Sequence, residues 1–180
     1  MGLDMNRPFV PVRISVLTLS DTRTEENDHS GGYLIQAAQA AGHIIYDRKI
    51  ICDDKERIIN TLKEYIDNPI VDVVLCTGGT GLTQRDQTPE ALKSVAEKWI
   101  PGFGELFRWL SYQKIGTSTI QSRACAGMAN GTLIFALPGS TGACKDAWIG
   151  ILQAQLDIRH RPCNFIEILP RMKNTTLSRK

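Results

Sequence analysis

The chain has 180 residues, 42% of them hydrophobic and 22% charged, which is ordinary usage for one globular domain. That composition excludes a disordered or fibrous protein, and a net charge of +2 excludes the strong basic stripe of a nucleic-acid-binding domain. Five cysteines without CxxC spacing and three scattered histidines give neither a disulfide framework nor a zinc pattern.

Met1 to Val10 has no apolar core of the kind a signal peptide carries, and Asn6 stands where a myristoylation signal needs Ser or Thr. No apolar run approaches the roughly 20 residues of a membrane helix. The expectation is a cytoplasmic protein with reduced thiols, no membrane anchor and no nucleic-acid partner. Asn174-Thr175-Thr176 fits a glycosylation sequon that has no meaning without secretion, and the basic tail Arg171 to Lys180 reads as a frayed, solvated terminus.

Val12 to Leu19 alternates as a strand, and Ser20 to His29 is a polar loop. Ser30 is the expected N-cap of a helix over Gly32 to Ala41, which Gly42 ends. A second strand runs from His43 to Ile51. Ile58, Ile59, Leu62 and Ile66 recur at helical spacing until Asn68-Pro69. Ile70 to Cys76 is nearly all apolar, as a central parallel strand should be. Thr88 is the expected cap of a helix with Pro89 in its first turn, continuing through Leu92, Val95, Ala96 and Trp99. Phe103, Leu106, Phe107 and Leu110 mark a further helix. Thr132 to Leu137 is a buried strand, and Ala147, Trp148, Ile151 and Leu152 belong to the helix after it. This alternation predicts a single-domain (1–180) three-layer α/β/α sandwich with a mostly parallel sheet, whose ligands sit at the carboxyl ends of the strands.

Three loops leave strand ends: Ser20-Asp21, Thr77-Gly78-Gly79-Thr80-Gly81, and Leu137-Pro138-Gly139-Ser140-Thr141-Gly142. Glycine lets backbone N–H groups approach a ligand closely, and a helix opening after Ser140 offers unpaired donors to an anion. Neither glycine loop is GxxxxGK[ST], and Gln84 breaks a GxGxxG pattern. Two such loops after apolar strands point to a phosphate or nucleotide site. Asp86 follows the first of them, and Asp53 and Asp54 follow the second strand. If those loops share one sheet edge, Asp53 and Asp86 can share a Mg²⁺, which favours one or two carboxylates plus substrate phosphates. The local alternatives are helix capping for the 53–54 pair and a loop hydrogen bond or an Arg85 ion pair for Asp86. Arg108, Arg123 and Lys145 are candidate phosphate clamps, with a plain surface role favoured for Arg108 and Lys145. Trp99, Phe103, Phe107 and Trp109 crowd one short region and suggest an oligomer contact.

CTGGTGLTQRDQTPEAL, PGFGELFRWLS, GTSTIQSRACAG and LIFALPGST, in that order, resemble the MoaB/MogA family of molybdenum cofactor biosynthesis proteins, from about Arg13 to about Phe165. Asp28-His29-Ser30-Gly31 and Arg161-Pro162-Cys163-Asn164-Phe165 are most similar to its MoaB branch. The resemblance implies a molybdopterin-binding fold, a trimer or hexamer, and transfer of AMP from Mg-ATP to the terminal phosphate of molybdopterin. It implies Gly78, Gly79, Thr80 and Gly81 at the nucleotide or pterin, and Asp53 and Asp86 as functional, metal-holding carboxylates. Ser122, Arg123, Pro138, Gly139 and Ser140 would line the pterin side. One departure is Ala136, where active relatives often carry asparagine; it favours the alternative of a catalytically silent molybdopterin-binding protein.

Overall fold

The protein is described by a computed structural model over residues 2–173. The sequon and the end of the basic tail lie outside the described residues. The remainder of that tail is ordered: Lys173 closes the helix Phe165–Lys173 and donates its ammonium to Pro69 O, Val71 O and Asp72. Three carbonyl and carboxylate acceptors hold it, so this stretch is not the frayed end that composition suggested.

Six strands form one sheet: β1 (Arg13–Leu19), β2 (Ile44–Ile51), β3 (Val73–Thr77), β4 (Lys98–Trp99), β5 (Cys125–Ala129) and β6 (Thr132–Leu137). Their order is β2-β1-β3-β6-β5-β4, parallel from β2 to β6 and antiparallel over β5 and β4. The helices are α1 (His29–Ala40), α2 (Lys55–Asp67), α3 (Thr88–Val95), α4 (Pro101–Ile115), α5 (Thr141–Ala147), α6 (Gln153–Gln155) and α7 (Phe165–Lys173). A 3₁₀ stretch, Gly116–Gln121, follows α4, and a π turn, Trp148–Leu152, joins α5 to α6.

Side chains alternate across the sheet, so each strand feeds two apolar layers. Ile14 and Val16 pack with Leu34, Phe103, Phe107, Trp148 and Ile166 on one face. Leu17 and Leu19 pack with Ile58, Leu62, Ala91 and Leu92 on the other. The sandwich and its mostly parallel sheet are as the alternation of elements predicts.

Several boundaries differ for physical reasons. Asp28, not Ser30, caps α1: its carboxylate accepts from Gly31 N at 2.9 Å and is itself held by Thr18 and Arg48. Gln87 stands at the cap of α3, because the Thr88 hydroxyl is spent on Gly78 O at 2.9 Å. The periodic residues up to Trp99 do not share one helix. α3 ends at Val95, and Lys98–Trp99 pairs with Met128 and Gly127 as an edge strand. Strand β5 is small-residue CAGMA, too weakly patterned to announce itself. Phe103 and Phe107 are core, 4% and 1% exposed, whereas Trp99 and Trp109 are 40% and 61% exposed; the aromatic cluster therefore divides between interior and surface. Among the described residues no helix is long and apolar enough to cross a membrane, and all five cysteines are free thiols.

Candidate functional site

Register places the loops. Leu19 of β1 faces Ile51 of β2, Thr18 of β1 faces Thr77 of β3, and Thr77 faces Leu137 of β6. Four parallel strands therefore end level, and Ser20-Asp21, Cys52-Asp53, Gly78-Gly79 and Pro138-Gly139 emerge on one edge. This is also where the strand order changes direction, the usual ligand position in an open α/β sheet.

A cleft of about 500 Å³ opens there. Gly78 to Gly81, Asp86, Ser122 and Pro138 to Ser140 line it, together with Ser111 of α4 and Ser118 and Gln121 of the 3₁₀ stretch. The last three are not singled out by sequence reasoning. Ser118 and Gln121 lie in the GTSTIQSR motif, of which only the Ser122-Arg123 ending is given a role, and Ser111 ends the PGFGELFRWLS motif.

The glycines are required by close approach. Gly78 has φ +113°, and a Cβ there would lie 2.3 Å from Leu19 O. Gly79 has φ +62°, and its Cβ would lie 2.7 Å from Asp53 Oδ1. Both positions need a left-handed backbone and room that only glycine leaves.

Asp53 thus packs directly beneath the loop at Gly79, while Asp54 is exposed and caps α2 by accepting from Arg57 N at 2.9 Å. The two adjacent acids divide the two roles between them. Asp53 Oδ1 is buried and has no hydrogen-bond partner. Burial raises the Asp53 pKa, the Asp86 charge raises it further, and the Gln87 N–H opposes both.

Asp86 sits against Gly81 and accepts from Thr83 N at 2.8 Å and Thr83 Oγ1 at 2.7 Å. Burial works against its charge. The Thr83 hydroxyl and N–H, the Gly81 N–H and the Arg123 charge outweigh burial and hold the pKa below the ordinary value. Arg85 pairs with Asp21 at the mouth and not with Asp86.

The candidate cations are otherwise occupied. Arg108 Nη1 donates to Ala124 O at 3.1 Å, and Lys145 lies 5.5 Å from the centre of the Tyr33 ring. Arg123 does not line the cleft. Its Nε donates to Gly81 O at 2.7 Å, its Nη2 to Asp86 O at 2.6 Å, and its Nη1 pairs with Glu90. The guanidinium grips the glycine loop instead of lining the cleft. The Ser122 hydroxyl accepts from Ala124 N at 3.3 Å, and the Ser140 hydroxyl caps α5 by accepting from Ala143 N at 3.2 Å.

Among the described residues no cluster of three or more His, Cys, Asp or Glu could hold a metal unaided. Two coupled carboxylates with one unpartnered buried oxygen do suit a cation that takes its remaining ligands from phosphates and water, which is the habit of Mg²⁺.

A family model described as "Probable molybdopterin binding domain" matches residues 15–157, a range that holds every residue of the cleft. The chain is 54% identical over 157 residues to Molybdenum cofactor biosynthesis protein B of Escherichia coli (strain K12), covering 87% of this chain and 92% of that protein. A crystal structure of a Molybdenum cofactor biosynthesis protein B superposes with a TM-score of 0.84 at 38% identity, covering 94% of this chain and all (100%) of that one. The tungsten cofactor synthesizing protein MoaB from Pyrococcus furiosus gives 0.76 at 33% identity, with 91% and 98% covered. With the fold, the strand-edge cleft and these matches in agreement, the chain belongs to the molybdopterin-binding domain family of the molybdenum cofactor biosynthesis proteins.

Proposed function

We propose that the protein acts in molybdenum cofactor biosynthesis by binding molybdopterin in the cleft and transferring AMP to its terminal phosphate from ATP. An oxygen of the pterin phosphate forms the new bond to the α-phosphorus of ATP, the α–β bridging P–O bond breaks, and pyrophosphate leaves. A phosphate monoester is already anionic near pH 7, so no general base is needed. The obstacle is repulsion between polyanions, which positioning and charge stabilisation address.

The observation that carries this reading is a glycine loop with no lysine, flanked by two coupled carboxylates of which one oxygen is buried and unpaired. Carboxylates beside a loop that would approach phosphates suit a cation that both acids could share. Asp53 and Asp86 would hold Mg²⁺, which when bound supplies the positive charge that a P-loop takes partly from lysine. Gly78 to Gly81 present close backbone, and Thr88 fixes that backbone through Gly78 O.

The second reading is a silent molybdopterin-binding protein, favoured by Ala136. Ala136 is fully buried, in register with Cys76 and Cys125, in the apolar layer beneath α2 and α3, and it does not line the cleft. Its small side chain removes no group from the cleft wall, which supports the catalytic reading. Purified protein with molybdopterin and Mg-ATP is expected to yield adenylylated pterin and equimolar pyrophosphate, both lost in Asp86→Asn. Saturable pterin binding without product would establish the silent alternative. We also propose a homo-oligomer, a trimer or hexamer, through the α4 surface bearing exposed Trp109 and Tyr112; a monomeric mass by light scattering at micromolar concentration would contradict it.

A further inference from the structure

We infer that Arg123 is a positioning residue whose guanidinium clamps both ends of the Gly81 to Asp86 loop and so holds the Asp86 carboxylate in the cleft wall. This rests on the reading of Asp53 and Asp86 as the functional acids, and it assigns Arg123 a task other than ligand contact. Its Nε donates to Gly81 O at 2.7 Å and its Nη2 to Asp86 O at 2.6 Å, while its backbone N–H donates to Thr80 O at 3.1 Å. In a trans peptide the carbonyl and the following N–H point in opposite directions. Drawing Asp86 O toward the guanidinium therefore turns the Gln87 N–H away from it. Between the two clamped carbonyls the loop closes on itself: Thr83 N and Thr83 Oγ1 donate to the Asp86 carboxylate, and Asp86 N donates to Thr83 O at 3.1 Å. One side chain thus sets two peptide planes, at the two ends of the turn that holds the Asp86 carboxylate.

The grip is itself anchored. Arg108 Nη1 donates to Ser122 O at 3.4 Å and Ala124 O at 3.1 Å, fixing the segment on either side of Arg123. Glu90, in the first turn of α3, pairs with Nη1, and its second carboxylate oxygen is buried without a partner. An acid held in this way is a guide for the guanidinium, and a planar fork can satisfy Glu90, Gly81 O and Asp86 O at once where a lysine ammonium cannot match the geometry.

The test is residue-specific amide hydrogen exchange of the ligand-free protein, alongside steady-state kinetics, for Arg123→Gln, Arg123→Lys and Glu90→Gln. In Arg123→Gln the Thr83 and Asp86 amides, both bonded within the clamped loop, should lose about tenfold or more in protection while the strand amides keep theirs. Turnover should fall about 100-fold with the KM for pterin near that of the native protein, as misplaced catalytic groups produce. Arg123→Lys should recover part of both effects, and Glu90→Gln should show a smaller loss in the same direction. Native-like exchange at Thr83 and Asp86, combined with a raised KM alone, would overturn the inference and make Arg123 a ligand contact. Should Arg123→Gln not fold, the lysine and Glu90 variants decide by the same two amides. Should the native protein make no product, the proposed transfer fails, yet the exchange data still judge the role of Arg123.

Discussion

The two glycine loops at the sheet edge look alike in sequence and are held by different means. The connection from β6 to α5 is three residues long, Pro138-Gly139-Ser140, and is fixed locally: Thr77 Oγ1 donates to Pro138 O at 3.0 Å and Ser140 caps its own helix. The connection from β3 to α3 is longer and is fixed from a distance, by Arg123 some forty positions on and by Asp53 from the end of β2, two strands away (|i−j| = 42 for the Arg123–Gly81 bond). A short loop inherits its shape from the elements it joins. A long one must be shaped by side chains arriving from elsewhere, and here those side chains also organise the chemistry.

Substituting glycine in each loop separates the two cases most sharply. Gly78→Ala puts a Cβ 2.3 Å from Leu19 O at a positive φ, so backbone must move; a loss of about 3 kcal/mol or more is expected in chemical denaturation, with loss of pterin binding. A native-like midpoint would mean that the loop has slack the structure does not show.

A smaller and opposite effect is expected at Asp53. Its pKa is raised by burial first and by the Asp86 charge second, against the Gln87 N–H. A carboxyl with a raised folded pKa stabilises below its unfolded value, 3.8, and that contribution is lost as pH rises through the folded value. At neutral pH the ionised Asp53 therefore costs stability, and Asp53→Asn should raise Tm by a few degrees at pH 7 while abolishing turnover. The gain should vanish near pH 3.5, and Mg²⁺ should raise the Tm of the native protein but not of the variant. A lower Tm at pH 7 would show that Asp53 is held by bonds rather than left unpaired.

The smallest effect belongs to the other loop. A Cβ on Gly139 would meet Gly78 Cα at 3.4 Å, ordinary contact, and no left-handed backbone is involved. Gly139→Ala should stay within about 1 kcal/mol of the native protein. A loss as large as that of Gly78→Ala would erase the contrast between the loops.

What the sequence shows and what it hides follows the same division. Strands β1, β3 and β6 are apolar runs whose register needs no distant information, so the sheet edge and both glycine loops are legible from their residues. The division of work between Asp53 and Asp54 is not, since either could cap α2 until the path of the loop is known. Arg123 could be read only as a cation near a motif, because its acceptors are backbone carbonyls of another segment. The small residues of β5 lack the periodicity that marks a strand, and the exposed pair at β4 continues the helical spacing of α3 by coincidence. The buried Phe103 and Phe107 against the exposed Trp109 show that aromatic density does not by itself distinguish core from contact surface.

The most direct test of the central claim uses ATP labelled at the α-phosphate, incubated with Mg²⁺, molybdopterin and the purified protein. The account predicts label in the pterin fraction, one per pyrophosphate released, with none for Asp53→Asn or Asp86→Asn. Label that remains wholly in ATP while molybdopterin binds saturably would contradict it, leaving a binding protein in the same pathway.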